Sequence, residues 1–151
     1  MTHNEWVQKQ FTRFKKYKDR PNYRDVLLIT SFIETVVRDK ASCTACKRRE
    51  DFKKSLEVLG LKIDGNDKRK SSYRQDCQYK EDCLIEINDL RVQRNELLHD
   101  IIREELPEEH IGDRIKEMAK NIEQICIKSN LIRNYFVTNS SYGFDPAKLV
   151  Q

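Results

Sequence analysis

The segment most informative about the fold is residues 80–104, with the sequence KEDCLIEINDLRVQRNELLHDIIRE. Its apolar residues recur at helical spacing, which predicts a long amphipathic helix. At about 100° per residue, Ile87, Leu90 and Leu97 lie within roughly 60° of the direction of Arg94. The arginine therefore falls in the middle of the apolar stripe. Because a buried, unpaired guanidinium is costly, we expect this stripe to face a cleft or a partner subunit, or Arg94 to have its own anion.

The rest of the chain is also predicted to be helical. Only 4 Gly and 3 Pro occur in 151 residues, with 36% charged residues, which favours long helices over a turn-rich β fold. We predict an all-α bundle of four to five helices that forms one domain over residues 1–136, followed by a C-terminal tail over residues 137–151. Besides the helix at 80–104, apolar periodicity predicts long helices over residues 4–18, 23–39 and 108–136.

Residues 40–80 differ from the rest of the predicted domain. They are polar and basic, and they contain several cysteines. A short helix is predicted near residues 50–59, with Gly60 as its C-terminal cap, followed by a short extended piece over residues 61–65. Since the segment offers little to bury, we interpret it as a basic insertion or mobile arm between the second helix and the helix at 80–104.

Composition sets mild bounds on function. The net charge of +4 permits an anionic partner such as nucleic acid without requiring one. No apolar run reaches the roughly 18 residues of a membrane span, and the N-terminal residues show no signal-peptide pattern. We therefore expect a cytoplasmic protein that does not enter membranes, whose cysteines are reduced thiols or metal ligands.

A six-residue motif in the helix at 80–104 resembles the signature of a known superfamily. Arg94 is followed by the polar Asn95 and, five positions after the arginine, by His99. An all-helical bundle of this length with Arg-x4-His on its penultimate long helix resembles the HEPN superfamily, whose members are helical domains and in many cases ribonucleases. The resemblance covers residues 22–39 and 80–136.

The resemblance implies an endoribonuclease that needs no metal ion or other cofactor for catalysis. The ribose 2′-OH would attack the adjacent phosphate and leave a 2′,3′-cyclic phosphate. In this scheme His99 is the acid or base, Arg94 stabilises the developing charge, and Asn95 orients the imidazole or the phosphate. Glu34 is a candidate supporting acid, since some family members carry an acid on the second helix.

The family also suggests partners. Many HEPN nucleases are toxins that pair with an antitoxin or act in phage defence. The branch with nucleotidyltransferase-type antitoxins often has a tyrosine two residues after the histidine, where this chain has Ile101, so that particular pairing is weakened while other antitoxin proteins remain open. Arg94 and His99 point about 140° apart on a regular helix, and we expect a homodimer to bring the two groups together in a composite site.

Two further groups of residues carry a candidate role. Four cysteines match the number of ligands in a structural zinc site, although they can equally be reduced and unpaired; these are Cys43, Cys46, Cys77 and Cys83. Basic side chains could guide RNA through phosphate contacts, although they can equally form a solvated loop; these are Lys47, Arg48, Arg49, Lys68, Arg69, Lys70 and Arg74.

Three interpretations therefore stay open at the level of sequence. The first is the HEPN-like endoribonuclease that acts on RNA. The second is a non-catalytic HEPN-like module that binds a nucleotide or a partner protein, with Arg94 paired to an acid such as Glu34 and His99 an ordinary surface histidine. The third is a zinc-stabilised nucleic-acid-binding protein in which the cysteine segment is the functional part.

Overall fold

The computed structural model describes Thr2, Glu5 and residues 21–45, 50–103 and 108–133. These residues form a mostly helical structure with one small antiparallel hairpin. The helices are α1 (Pro21–Ala45), α2 (Phe52–Leu59), α3 (Leu84–Arg103) and α4 (Glu108–Lys128), and the strands are β1 (Leu61–Ile63) and β2 (Ser71–Tyr73). The predicted first helix over residues 4–18 and the tail over residues 137–151 lie outside the described residues, apart from Glu5.

Helix α1 lies at the centre of the described bundle, as its apolar pattern predicts. It contacts α2, α3 and α4. Its side chains at Val26, Ile29, Ile33 and Val37 are essentially inaccessible to solvent, so it supplies the apolar surface against which the other helices pack. The helix begins at Pro21 rather than at residue 23, because proline is well tolerated in a first helical turn, and it continues past residue 39 to Ala45.

The prediction that residues 40–80 offer little to bury is wrong. Helix α2 begins after Asp51, whose carboxylate accepts a hydrogen bond from the Lys54 backbone N–H at 2.7 Å. Its apolar side chains enter the same core as α1 and α3. The large apolar side chains that this segment buries are Phe52, Leu56, Leu59 and Leu61, and Cys77 is buried with them. The spacing of a few large apolar residues therefore outweighs the polar composition of the segment.

The hairpin packs on the N-terminal part of α3. Strand β1 pairs with β2 so that Leu61 faces Tyr73. The Tyr73 hydroxyl accepts a hydrogen bond from the Leu84 backbone N–H at 2.9 Å, which satisfies a donor that the first turn of a helix leaves without a helical partner. The hairpin thus caps the helix that carries the Arg-x4-His motif.

Helix α4 runs along α3 and closes the bundle. Its stripe of Ile111, Ile115, Met118, Ile122 and Ile125 is buried. The helix ends at Lys128 rather than at residue 136, and residues 130–133 form a further helical turn after a break at residue 129. Among the described residues, none of the helices combines the length and the apolar character needed to cross a membrane.

Cys126 lies on the same buried side of α4. It is 7% exposed, and burial raises the pKa of its thiol to about 12. The position therefore serves packing, as its place in the apolar stripe predicts.

Gly60 ends α2 in a conformation that only glycine adopts easily, with φ of 120°. A Cβ at this position would lie 2.5 Å from the Cys77 sulfur atom and 2.9 Å from the Cys77 Cα atom. The glycine is therefore needed both for its backbone conformation and for the close approach of the two segments.

We expect Gly60→Ala to lower the free energy of unfolding by about 1–3 kcal/mol, because it adds backbone strain and a steric clash at one site. Denaturant unfolding followed by circular dichroism measures this change. Gly65→Ala is the matched control, since nothing lies within 4 Å of a Cβ there. Equal stability of the two variants would contradict the assigned role of Gly60.

Candidate functional site

A groove of about 270 Å³ runs along one side of α3, and it contains two of the three motif residues. Its wall includes Asn95 and His99 from α3 together with Lys68 from the loop of the hairpin. The remaining lining residues are Arg91, Val92, Glu96 and Asp100. Concave sites with a few convergent polar groups are the usual location of ligand binding, so this groove is the candidate functional site.

His99 lies at the groove with about half of its side chain, 52%, open to solvent. Its Nδ1 atom lies 3.5 Å from Asp100 Oδ1. The other carboxylate oxygen, Asp100 Oδ2, accepts a hydrogen bond from Arg114 Nη1 of α4 at 3.3 Å. The contact with Asp100 orients the ring at Nδ1, which leaves Nε2 as the nitrogen that can exchange a proton with a ligand.

Arg94 does not line the groove. Its Nη2 atom forms an ion pair with Glu34 Oε1 of α1 at 2.9 Å, and its side chain is 17% exposed. The guanidinium also lies over the ring of Phe52, 5.7 Å from the ring centroid. The arginine in the middle of the apolar stripe therefore has its own anion, which was one of the three arrangements expected from its position.

Glu34 is shared between two arginines. Its Oε2 atom accepts a hydrogen bond from Arg38 Nη1 at 3.4 Å, while Oε1 pairs with Arg94. The Nε atom of Arg38 donates to the Glu50 backbone carbonyl at 2.7 Å. This network joins α1, the start of α2 and α3. Glu34 thus pairs with Arg94 on the side of α3 that faces the bundle, which is the structural alternative considered from the sequence, and its role as a supporting acid in catalysis stays a prediction.

Asn95 is the motif residue that lies between the groove and the guanidinium of Arg94. It lines the groove with His99, and its Oδ1 atom accepts two long hydrogen bonds from Arg94 Nε and Nη2, each at 3.4 Å. Within one chain, the structure brings Asn95 and His99 together and directs Arg94 elsewhere. The helical step of about 140° between Arg94 and His99 explains this separation.

The loop of the hairpin forms the opposite wall of the groove. Arg69 Nη2 forms an ion pair with Glu96 Oε2 of α3 at 2.7 Å. The Lys68 backbone carbonyl accepts a hydrogen bond from Asn88 Nδ2 at 2.9 Å. These contacts place the basic loop beside the motif, so the interpretation of this segment as a mobile arm does not describe its packing.

Two residues of this region were not identified from the sequence: Arg91, which lines the groove, and Asn88, which accepts its hydrogen bonds. Arg91 is only 7% exposed, yet it lines the groove. Its Nε and Nη2 atoms donate to Asn88 Oδ1 at 3.1 Å and 3.0 Å. The sequence pattern could have identified them, because they share a polar face of the helix with two motif residues. An arc of about 80° on a regular helix contains Asn88, Arg91, Asn95 and His99. This polar stripe lies beside the apolar stripe, and its significance depends on the hairpin that covers it.

The other basic residues lie in different places. Lys70 shares a shallow depression of about 250 Å³ with Lys62 and Asp64 on the hairpin. Backbone N–H groups of Asp67 and Asn66 hold the pKa of Asp64 below its usual range. Arg74 is exposed and pairs with Asp76 at 3.4 Å. The predicted RNA-binding residues Lys47, Arg48 and Arg49 lie outside the described residues.

The proposed zinc ligands are described only in part. Cys77 is buried; its Sγ donates to the Leu59 carbonyl at 3.3 Å and accepts from the Tyr79 N–H at 3.4 Å. Cys83 is buried as well, and burial raises the pKa of its thiol. Cys46 and the side chain of Cys43 are outside the described residues. In the part of the chain that the structure describes, no three Cys, His, Asp or Glu side chains form a group that could hold a metal ion.

Comparisons with known proteins add no relative to this description. No protein-family model matches the chain, and neither a curated protein nor a solved structure matches it. The function is therefore argued from the residues of the groove.

We expect the Glu34–Arg94 ion pair to stabilise the fold, because both side chains are largely withdrawn from solvent. A double-mutant cycle with Glu34→Gln, Arg94→Gln and the double variant should give a coupling energy of about 1–2 kcal/mol in the free energy of unfolding. The exposed pair Arg69–Glu96 provides the internal control, with an expected coupling below about 1 kcal/mol. A coupling of zero for Glu34 and Arg94 would rule out this structural role.

Proposed function

We propose that this chain is a HEPN-like endoribonuclease that cleaves RNA without a metal ion and that His99 is its acid–base residue. The observation that carries the proposal is the position of His99, half-exposed in a groove that Lys68 and Arg91 also line. A nuclease of this kind needs a proton-accepting group next to cations that hold a phosphate. The resemblance of Arg94, Asn95 and His99 to the HEPN motif supports the same reaction.

The reaction uses the 2′-OH of the substrate, one histidine as proton acceptor, and water or a second histidine as proton donor. His99 Nε2 accepts the proton of a ribose 2′-OH, and the 2′ oxygen forms a bond to the adjacent phosphorus atom. The bond between that phosphorus and the 5′ oxygen of the next nucleotide breaks, and its electron pair stays on the 5′ oxygen. That oxygen takes up a proton from water or from a second histidine, so the products carry a 2′,3′-cyclic phosphate and a 5′-OH.

Asn95 is the positioning residue in this proposal. It lies one helical turn before His99 on the same face of α3, and its side-chain amide can donate to a phosphate oxygen while its carbonyl faces Arg94. The role that the sequence suggests for Arg94, stabilising the transition state, requires a guanidinium at the groove. Since Arg94 pairs with Glu34 within one chain, the proposal assigns Arg94 to the support of α3.

The biological setting is part of the same proposal. A homodimer would place the groove of one chain opposite that of a second copy, and the His99 of the second copy would then be the proton donor to the leaving oxygen. A cytoplasmic toxin that is restrained by an antitoxin, or that acts against phage, is the role that the family resemblance favours.

A second candidate function is a module that binds RNA or a nucleotide without cleaving it. The observation that favours it is the ion pair of Arg94 with Glu34, which engages the charge that cleavage by the HEPN motif would use. The groove with Lys68 and Arg91 would bind phosphate equally well in such a module. Cleavage assays separate the two candidates, because only the nuclease changes the length and the ends of the RNA.

We expect His99→Ala to lower the rate of RNA cleavage by at least about 100-fold, because it removes the group that moves the proton. His99→Gln should fail to restore the rate, since an amide cannot exchange a proton at neutral pH. Denaturing gel electrophoresis of a labelled RNA measures the rate, and mass spectrometry of the products identifies the cyclic phosphate.

The control is His110→Ala, which removes an exposed imidazole on α4 that does not line the groove. Its rate should stay within twofold of the parent, and chelation with EDTA should leave the parent rate unchanged. Cleavage that persists in His99→Ala would refute the assignment of His99. Absence of cleavage by the parent protein, with RNA binding retained, would favour the second candidate.

A further inference from the structure

Arg91 is a buried cation that forms no direct ion pair with a carboxylate in the part of the chain that the structure describes. It is 7% exposed, and no ion pair joins it to a carboxylate among the described residues, whereas Arg94, three positions later on the same helix, has Glu34 at 2.9 Å. Burial, and secondarily the repulsion from Arg94, lower the pKa of Arg91, whereas the weaker attraction of Asp51 and Glu57 acts in the opposite direction. An arginine stays charged in proteins even so. The molecule therefore holds a positive charge at the groove that no carboxylate of the described residues neutralises through a direct ion pair.

Asn88 fixes the direction of this cation. It is fully buried, its Oδ1 atom accepts from Arg91 Nε and Nη2, and its Nδ2 atom donates to the Lys68 carbonyl at 2.9 Å. One side chain thus links the guanidinium to the basic loop. Since Nε and Nη2 share Asn88 Oδ1, the Nη1 donors are left for a ligand in the groove that Arg91 lines.

The carboxylates of the groove already have cations of their own. Glu96 pairs with Arg69 at 2.7 Å, and Asp100 pairs with Arg114 at 3.3 Å and contacts His99. Neither of them compensates Arg91. Lys68, on the facing loop, likewise forms no ion pair in the described part of the chain. Two cations without a direct ion pair among the described residues therefore line one groove, and a bound anion would pair with both of them.

We propose that Arg91 and Lys68 form a binding site for a phosphate of a single-stranded RNA backbone and that Asn88 is the positioning residue of this site. The proposal rests on the proposed function, because it supplies the phosphate-binding cations for the groove that contains His99. A guanidinium held by its Nε and Nη2 atoms can donate to phosphate oxygens from Nη1, and an ammonium on the facing wall adds a point charge. The backbone phosphate, rather than a base, is the recognised group, since charge is the common feature of the two residues.

Binding of a non-cleavable probe tests this site separately from catalysis. The probe is a fluorescein-labelled, mixed-sequence oligonucleotide of 2′-O-methyl RNA, which lacks the 2′-OH that attacks in the proposed reaction. Fluorescence anisotropy at several salt concentrations gives the dissociation constant and its dependence on salt. If the probe binds as expected but native RNA is not cleaved, the nuclease proposal is refuted and the phosphate-binding site is retained.

We expect Arg91→Gln and Lys68→Gln each to weaken binding about tenfold and to lower the slope of log K against log salt by about 0.7, the value for one contact to a single strand. The charge-matched control is Arg133→Gln, near the end of the described chain, and it should stay within twofold.

Three results would overturn the proposal. The first is unchanged binding by folded Arg91→Gln or by Lys68→Gln; if Arg91→Gln does not fold, as thermal melting would show, Lys68→Gln decides, since its residue is exposed. The second is an equal loss in Arg133→Gln, which would indicate diffuse charge rather than a site. The third is displacement of the probe by an equimolar amount of inorganic phosphate, which would assign the site to a small anion instead of an RNA backbone.

Discussion

The side-chain amide of Asn88 is the contact on which the site depends. It is fully buried and holds the loop of the hairpin through the Lys68 carbonyl and the guanidinium of Arg91 through its own oxygen. A buried polar group must find partners, because leaving it unsatisfied costs about 1–3 kcal/mol. Asn88 meets this requirement only when the hairpin packs on α3. The same hydrogen bonds that attach the hairpin therefore also shape the groove.

The two arginines of α3 show how one helix can serve both the fold and the site. Arg94 points toward the bundle, where Glu34 neutralises it and the Phe52 ring covers it. Arg91 points about 60° away, toward the groove, where its only hydrogen-bond partner among the described residues is a neutral amide. Arg94 has a direct ion pair and Arg91 has none among the described residues, and this difference separates a structural cation from a cation that is available to a ligand.

The two acidic residues at the groove are paired with arginines, as Glu34 is with Arg94. Glu96 and Asp100 line it, and each is matched by an arginine from a neighbouring element, Arg69 of the hairpin loop and Arg114 of α4. These pairs join the hairpin and α4 to α3 and leave the groove without an unmatched carboxylate. The field that a ligand meets therefore comes from Lys68, Arg91 and, when protonated, His99.

Local sequence patterns were sufficient to predict the helical class, the extent of α3 to within a few residues and the C-terminal cap at Gly60, because helical periodicity and cap chemistry are local properties. It also determined that Arg94 needs an anion or a cleft, since its angular position on the helix follows from geometry alone. The angle of about 140° between Arg94 and His99 could likewise be predicted from their spacing on a regular helix.

The anion that pairs with Arg94 and the position of the groove could not be predicted from the sequence and became visible in the folded chain. Glu34 is 60 positions before Arg94 in the chain, and the hairpin reaches α3 through contacts such as Arg69 with Glu96, 27 positions apart. The place of Arg91 at the groove depends on such distant contacts, because its neighbours in sequence predict only a polar residue on a helix. Local patterns determine elements, whereas the compensation of a buried charge depends on groups that folding brings together.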